Sequence, residues 1–356
     1  MAYIKEAISK VVSLQNLTAE EATKTMYELI DGSASPPQIA SLLTALRMKG
    51  ETVDEIAAFA SVMREQATKI RPRVSGRLTD TCGTGGDLMK TFNISTISAL
   101  VVAGAGAPVA KHGNRSVTSK CGSADLLEKL GVNITAGPEL VQKSIEQVGI
   151  GFLFAQVFHS ATKNVSFPRR EIGIRTIFNL LGPLTNPAGA KVQLVGVYDD
   201  SLVLKMAKVL AKIGTEDAMI VHGHGGLDEV SLAGQTHAAR IRNGEILEEV
   251  LTPDSFGLPL VEFKDVTAPE NPEDYPITTV KILSGSRDAR ERAVRNMVLA
   301  NASTALAVAG KVSNYTEGVE MARQSLDSGG AFRKLRELVK LSGGDTEKTE
   351  KFAKVL

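Results

Sequence analysis

The sequence predicts an α/β fold made of a small N-terminal helical domain and a larger domain in which helices flank a mainly parallel sheet. Two observations predict it. Residues 1–70 carry only helical patterns, whereas short apolar segments alternate with helical patterns in the chain that follows. Alternation of this kind is typical of a parallel sheet covered by helices. The polar segment 71–77, broken by proline and glycine, separates the two, so we expect domains at 1–70 and 71–356.

Helix start signals are clear in the first domain. Thr18 with Glu21, Ser35 with Gln38 and Thr52 with Glu55 each match a capping box, in which two residues satisfy each other's free backbone N–H groups. Apolar residues at 39, 42, 43 and 46 predict one buried helix face. Gly32 and Gly50 are placed where helices end.

The second domain contains several short strand candidates and helix candidates. The strand candidates are 78–83, 108–113, 132–136, 151–155, 193–198 and 218–223. The helix candidates are 95–104, 123–130, 138–148, 170–181 and 202–212. Two alternating segments around Asn243–Gly244 predict a β-hairpin, and the chain from Ser286 onward is predicted to be helical.

Composition excludes several classes of protein. The chain has 356 residues, with 41 Lys and Arg against 40 Asp and Glu, and a net charge of +1. This balance disfavours a protein that grips nucleic acid through a basic surface. We find no apolar run of membrane-spanning length and no signal-peptide pattern, so we expect a cytoplasmic protein without a membrane partner. Its two cysteines, Cys82 and Cys121, are expected to be reduced packing residues.

Three strand candidates end in conspicuous loops: "GTGGD" from Gly83, "KHGNRSVTSKCGS" from Lys111 and "HGHGGLDEVS" from His222. Ligands of α/β proteins gather where the carboxyl ends of parallel strands open into loops. If the three strands are parallel neighbours, all three loops meet at one rim of the sheet.

The first loop is rich in glycine and runs into a helix start. Its glycines expose N–H donors, and Ser95 and Thr96 offer hydroxyl groups, a combination that suits anionic oxygen. The loop matches neither a Walker motif nor a dinucleotide fingerprint. By itself it is equally consistent with an ordinary turn between a strand and a helix.

The second loop favours a phosphate site over a solvated basic loop. Lys111, Arg115 and Lys120 bring positive charge, and the hydroxyl groups of Ser116, Thr118, Ser119 and Ser123 accompany them. These residues follow an apolar strand and precede a helix, where anions are commonly bound.

The third loop supplies adjacent carboxylates, Asp228 and Glu229. Isolated, they would be interpreted as solvated acids. Near a polyphosphate, one or two carboxylates together with substrate oxygens commonly hold Mg²⁺. Gly225 and Gly226 allow the bend that brings both side chains to one site. His222 and His224 are more consistent with loop histidines than with a transition-metal pair.

Taken in order and spacing, these motifs resemble the anthranilate phosphoribosyltransferase family over nearly the whole chain. The resemblance rests on "DTCGTGGD", "NIST", "KHGNRSVTSKCGSADLLEKLG", "GIRTIFNLLGPLTNP" and "GLDEVS". It implies a fold of the nucleoside phosphorylase and phosphoribosyltransferase type, with helices around 165–190 joining the helical domain. It also implies transfer of the phosphoribosyl group of phosphoribosyl pyrophosphate (PRPP) to the amino group of anthranilate, a step of tryptophan biosynthesis.

The resemblance further implies ligands and site residues. It implies a homodimer, a Mg²⁺ cofactor with two ions per site, and magnesium contacts from Ser95, Asp228 and Glu229. The implied PRPP contacts are Gly83, Gly86, Asp87, Thr91, Asn93, Ile94, Ser95, Thr96, Lys111, His112, Gly113, Asn114, Arg115, Ser116, Val117, Thr118, Ser119 and Ser123. The implied anthranilate contacts are Gly83, Asn114 and Arg169, with His112, His159 and Pro183 as neighbours.

Two alternative functions stay open at this point. A pyrimidine nucleoside phosphorylase of similar architecture would use phosphate and a nucleoside, although "GPLTNP" favours the phosphoribosyltransferases. A nucleic-acid-binding relative would require a basic groove and a damaged metal site. We nominate no catalytic nucleophile, because positioning and charge stabilisation suffice for the transfer.

Overall fold

The computed structural model describes residues 3–85, 91–116, 121–288 and 291–354. Four helices come first: α1 Tyr3–Val12, α2 Ala19–Ile30, α3 Pro36–Lys49 and α4 Val53–Gln66. The three predicted helix starts, at Thr18, Ser35 and Thr52, are confirmed. In α2, Glu21 N donates to Thr18 Oγ1 over 3.2 Å while Thr18 N donates to Glu21 Oε2 over 2.7 Å. Thr52 and Glu55 form the same reciprocal pair at the start of α4.

The rest of the described chain alternates strands and helices and ends in a helical tail. The strands are β1 Thr79–Asp80, β2 Val109–Gly113, β3 Ile150–Phe154, β4 Val192–Gly196, β5 Asp217–Gly223, β6 Thr236–Arg242 and β7 Glu245–Leu251. The helices are α5 Ile94–Gly104, α6 Ser123–Lys129, α7 Pro138–Val148, α8 Ala155–Phe158, α9 Lys163–Ile172, α10 Ile177–Leu181, α11 Leu202–Lys212, α12 Phe263–Val266, α13 Asp274–Leu283, α14 Arg292–Val308, α15 Tyr315–Asp327, α16 Gly330–Leu341 and α17 Thr346–Ala353. Short 3₁₀ helices span Ser160–Thr162, Gly182–Leu184 and Pro253–Phe256.

The sheet confirms the predicted architecture. Its strand order is β3-β2-β1-β4-β5-β6-β7. The first five of these strands pair in parallel, and the β5–β6 and β6–β7 pairs are antiparallel. The predicted hairpin joins β6 to β7 through Asn243 and Gly244, at φ 52° and 83°. Those positive angles are what a tight hairpin turn requires.

Two sequence predictions were wrong. Residues 132–136 form a turn instead of a strand, because the Asn133 side chain accepts from both N and Oγ1 of Thr135. The predicted helix 170–181 is divided between α9 and α10, since Gly173 ends α9 in the left-handed region at φ 64°. The helical tail predicted from Ser286 onward is confirmed by α14–α17, whereas helix α13, which precedes it, was not predicted.

The two faces of the sheet pack against different cores. In β5, Met219 and Val221 belong to the core formed with α5 and α14, while Ala218 and Ile220 belong to the core formed with α1–α4 and α11. Residues of α9 and α10 also join this second core. The N-terminal helices are therefore packed on the rest of the chain, and the division at residue 70 stays a prediction.

Polar contacts reinforce this packing. The Arg64 guanidinium of α4 donates to Leu184 O over 2.5 Å and to Ile213 O over 2.9 Å. Within the described residues, we see no helix that has both the length and the apolar character to cross a bilayer.

We predict that Glu55→Ala strongly destabilises the N-terminal helices. The Glu55 carboxylate is fully buried and accepts from Lys49 Nζ over 2.9 Å and from Leu17 N over 2.9 Å. Removing it leaves a buried ammonium unpaired, which costs about 3–5 kcal/mol. Urea denaturation measures the loss.

The neighbouring Asp54→Ala variant is the matched control. Asp54 pairs with Lys212 at the surface, where both side chains are more than half exposed. An exposed pair contributes below about 1 kcal/mol. Equal losses in the two variants would contradict the buried-pair argument.

Candidate active site

One cavity forms where the three predicted loops meet, at the carboxyl ends of β1, β2 and β5. Because β1 pairs with both β2 and β4, and β4 pairs with β5, the loops come to one rim. The cavity volume is about 320 Å³. It is lined by Cys82, Gly83, Thr84, Gly85, Thr91, Phe92, Asn93, Ser95, Thr96, Lys111, His112, Gly113, Asn114, Arg115, Ser116, Cys121, Gly122, Ser123, Ala155, Arg169, Arg175, Phe178, Asn179, Gly182, Asp228 and Glu229.

The glycine loop after β1 lies directly against the end of β4 and against Asp228. Thr84 N donates to Gly196 O over 2.8 Å, and Gly85 N donates to Asp228 Oδ2 over 2.9 Å. A Cβ atom added to Gly83 would lie 2.8 Å from Asp228 Oδ2. The close approach of loop and carboxylate therefore requires glycine at position 83.

Asp228 and Glu229 both reach the cavity, as the predicted bend requires. Gly225 and Gly226 take φ values of 80° and 82° just before them. Asp228 is bound to the glycine loop, while Glu229 Oε1 accepts from Ser95 N at the start of α5 over 3.2 Å. Burial raises the pKa of Asp228, and the Gly85 N–H and the Lys111 charge partly oppose this.

Lys111 places a buried positive charge beside the two carboxylates. Its side chain, on β2, donates to Thr81 O over 2.6 Å and to Ser95 Oγ over 3.4 Å. The residue is only 3% exposed. Burial raises the pKa values of Asp80 and Asp228, and the Lys111 charge opposes both rises, so carboxylates already compensate this ammonium in part. Its place in the cavity lining also lets it meet an anionic ligand.

The described ends of the second loop are held by the helix that follows it. Asp125 of α6 accepts from Ser116 N over 3.0 Å and from Gly122 N over 2.9 Å. Arg115 pairs with Asp125 and Glu128 over 2.9 and 2.7 Å, so its guanidinium is already engaged by carboxylates. Ser123 Oγ donates to Asn114 O over 3.2 Å.

The opposite wall of the cavity carries arginine and aromatic side chains. The Arg169 guanidinium lies over the Phe178 ring, 5.0 Å from its centroid. Burial lowers the pKa of Arg169, and among the ion pairs of the described residues none involves it. A half-buried guanidinium without a carboxylate is suited to an anionic ligand.

Two neutral histidines lie beneath this wall. His112 Nδ1 is 3.0 Å from Gly182 O, and the ring centroids of His112 and His159 are 5.2 Å apart. Burial lowers the pKa of His112 to about 3 and that of His159 to about 4. Because Nδ1 of His112 donates to the carbonyl oxygen, Nε2, which is buried without a partner among the described residues, is an acceptor.

Not every predicted site residue lines the cavity. Ile94 is fully buried in the core, His159 lies behind His112, and Pro183 is buried with its carbonyl oxygen accepting from Gln193 Nε2. The predictions at Gly86, Asp87, Val117, Thr118 and Ser119 lie outside the described residues.

Sequence reasoning missed several lining residues. Thr84 lies inside the quoted glycine motif, so a closer look at its hydroxyl could have identified it. Phe178 and Asn179 lie on α10, and the sequence carries no signal that their side chains face a ligand. Arg175 is placed at the cavity only by the fold.

Both cysteines are buried, and within the described residues neither forms a disulfide. Burial raises the pKa of Cys82 to about 12 and that of Cys121 to about 11. Both thiols are therefore protonated near neutral pH, which supports packing roles.

The donor set fits a hard divalent cation. Among the described residues, no group of three or more His, Cys, Asp or Glu side chains is placed to hold a metal by itself. Asp228 and Glu229 supply two carboxylates at the cavity. The backbone N–H of Ser95 donates to Glu229, and the Ser95 hydroxyl oxygen accepts from Lys111 Nζ. Mg²⁺ is commonly held by one or two carboxylates plus substrate oxygens, and its charge would relieve the burial of Asp228.

Comparisons with known proteins agree with this geometry. Residues 75–332 match the glycosyl transferase family, a/b domain, and residues 5–67 match the glycosyl transferase family, helical bundle domain. Anthranilate phosphoribosyltransferase of Pelotomaculum thermopropionicum is 53% identical over 340 residues, with 96% of this chain and 97% of the relative covered.

Two solved structures are also similar. Anthranilate phosphoribosyltransferase from Thermus thermophilus superposes with a TM-score of 0.88 at 40% identity, covering 95% of this chain and 99% of the other. The Saccharomyces cerevisiae enzyme, solved in complex with PRPP and Mg, gives a TM-score of 0.86 at 28% identity, covering 96% and 98%. Fold, motifs and comparisons together show that the chain belongs to the anthranilate phosphoribosyltransferase family of glycosyl transferases.

Proposed function

We propose that the rim cavity binds PRPP and anthranilate and transfers the phosphoribosyl group to the anthranilate amine, giving N-(5-phosphoribosyl)anthranilate and pyrophosphate in tryptophan biosynthesis. The observation that carries this proposal is the convergence of a glycine loop, a buried lysine and a carboxylate pair at one rim. Product formation from PRPP and anthranilate, with and without Mg²⁺, tests it. Thymidine phosphorolysis in the same preparation tests the nucleoside phosphorylase alternative.

The donor half of the site is formed by the glycine loop and the second loop. The phosphate and pyrophosphate oxygens are bound by backbone N–H groups, by Lys111 and by the hydroxyl groups of Ser95, Thr96 and Ser123. Within the part of the chain that the structure describes, Thr96 Oγ1 and Asn93 Oδ1 are buried without partners, so both have hydrogen-bonding capacity left for a ligand. Gly86, Asp87 and residues 117–119 complete this half in the proposal.

Two Mg²⁺ ions per site, held by Asp228, Glu229 and Ser95, are proposed from the family resemblance. When bound, they stabilise the negative charge that collects on the leaving pyrophosphate. Lys111 contributes charge to the same group from the β2 side. No covalent intermediate with a side chain is needed.

The acceptor half is formed by Arg169, Asn114 and Gly83, with His112 at its floor. Arg169 faces the anthranilate carboxylate, since a guanidinium meets a carboxylate with two donors. Neutral His112 offers Nε2 as an acceptor towards the aromatic amine. Positioning the neutral amine against the ribose C1 atom is the main catalytic contribution.

We predict that replacing Asp228 by Asn and Glu229 by Gln removes activity while the fold persists. The changes keep size and the acceptor oxygens for Gly85 N and Ser95 N but remove the charge that holds Mg²⁺. Steady-state rates at increasing Mg²⁺ and thermal unfolding measure the two effects. We expect excess Mg²⁺ to restore only part of the rate.

Glu262→Gln with Asp265→Asn removes the same charge from exposed positions near α12 and is the matched control. Near-normal activity in the Asp228 and Glu229 double variant would return both acids to a structural role.

We predict that Arg169→Ala raises the anthranilate KM about 10- to 100-fold while the PRPP KM changes less, because a charged hydrogen bond is lost. Arg170→Ala is the control, since the Arg170 side chain is 75% exposed. Titration of each substrate at saturating levels of the other measures both constants. An unchanged anthranilate KM, or an equal rise for PRPP, contradicts the assignment.

We also propose a homodimer formed through the N-terminal helices. Exposed apolar side chains support it: Val12 and Leu14 at the end of α1 are 64% and 72% exposed, and Met48 of α3 is 80% exposed. Lys49 Nζ donates to Asn16 Oδ1 over 3.0 Å, which brings these two helix ends together. Sedimentation at micromolar concentration should give twice the chain mass, and a monomer refutes the proposal.

A further inference from the structure

The Arg175 guanidinium is stacked on an aromatic ring at the edge of the cavity. Its Cζ atom lies 4.2 Å from the centroid of the Tyr198 ring, the shortest of the described cation–ring contacts. Arg175 lies in the turn between α9 and α10, and it lines the cavity. A cation held over an aromatic face is attracted by the ring and loses freedom of position.

Tyr198 contacts the glycine loop through its backbone, whereas its ring contacts Arg175. It follows β4, is 6% exposed, and packs in the core shared by the N-terminal helices and α10. Its backbone N donates to Thr84 Oγ1 over 3.2 Å, and Thr84 N donates to Gly196 O over 2.8 Å. The glycine loop is thus attached to the chain on both sides of Val197.

Through Arg175, Tyr198 is also linked to the cavity wall that carries Arg169 and Phe178, which we call the acceptor wall. Arg175 is followed by Thr176, whose N donates to Asn179 Oδ1 over 3.0 Å and begins α10. Phe178 of α10 carries the Arg169 guanidinium at 5.0 Å. The position of Arg169 therefore depends on where the turn at Arg175 is held.

We propose that Tyr198 is a positioning residue that sets the distance between the acceptor wall and the glycine loop. Its ring holds Arg175, and its backbone N–H holds Thr84. The inference deepens the proposed function and rests on it. Because the two contacts use different atoms, a change of the side chain disturbs the acceptor half, while loss of the Thr84 hydroxyl disturbs the donor half.

Separate effects on the acceptor half and the donor half distinguish a positioning role from a general packing role. A residue that only fills the core would alter stability and both substrate constants together when its side chain is cut back. Retaining the ring without the hydroxyl group should preserve the stack, since the attraction comes from the aromatic face.

The test compares Tyr198→Leu, Tyr198→Phe, Arg175→Met and Thr84→Ala by steady-state kinetics with both substrates. We expect Tyr198→Leu and Arg175→Met to raise the anthranilate KM about 3- to 30-fold with a lowered kcat and a nearly constant PRPP KM. We expect Thr84→Ala to raise the PRPP KM about 3- to 10-fold and to leave the anthranilate KM nearly constant. Tyr198→Phe should retain wild-type constants.

Calorimetric titration with PRPP adds a readout that needs no acceptor. It should show weakened binding in Thr84→Ala and unchanged binding in Tyr198→Leu and Arg175→Met. Failure of the wild-type chain to form product with anthranilate would overturn the proposed function instead, while the PRPP titrations would still decide the donor half.

Three outcomes would overturn the positioning role. One is a parallel rise of both KM values in Tyr198→Leu or in Arg175→Met. Another is failure of Tyr198→Phe to keep the wild-type constants. The third is an effect of Arg175→Met without one of Tyr198→Leu, which would mean that Arg175 contacts the substrate directly. Should Tyr198→Leu fold poorly by circular dichroism, Tyr198→Met takes its place, since an unbranched methionine fills core space without supplying an aromatic face.

Discussion

The site depends on the close approach of the glycine loop to the Asp228 carboxylate and the end of β4. Gly83 has no Cβ atom, and adding one would bring it within 2.8 Å of Asp228 Oδ2 and 3.3 Å of Gly196 O. A Cβ added to Gly196 would overlap the carbonyl oxygen of Asp228. The glycine loop, the end of β4 and the segment at Asp228 therefore meet at van der Waals distance. A residue larger than glycine at position 83 would push the glycine loop away from the carboxylate pair.

The charged groups of Asp228 and Lys111 make this contact region suited to binding ligands. Burial raises the pKa of Asp228, and the positive charge of the buried Lys111 opposes that rise only in part. Such an arrangement is unfavourable in isolation, because buried charges need partners. A divalent cation and a polyanionic substrate would together supply such partners.

Much of this could be predicted from the sequence, because the signals were local. Capping residues such as Thr18 and Thr52, the Asn243–Gly244 turn and the order of loops on a parallel sheet all follow from short-range chemistry. Prediction failed where a side chain competed with the backbone, as Asn133 does, and where one glycine at 173 divided a helical pattern. Phe178 and Arg175 reach the cavity only through tertiary packing, which no local pattern records.

The most direct measurement is the affinity of the wild-type protein for PRPP, by calorimetric titration, in Mg²⁺ and in EDTA. If the carboxylate pair holds the donor through Mg²⁺, PRPP should bind in the presence of the ion and at least about tenfold more weakly without it. Equal affinity under the two conditions would show that the glycine loop and Lys111 bind PRPP without the carboxylates, contrary to this account.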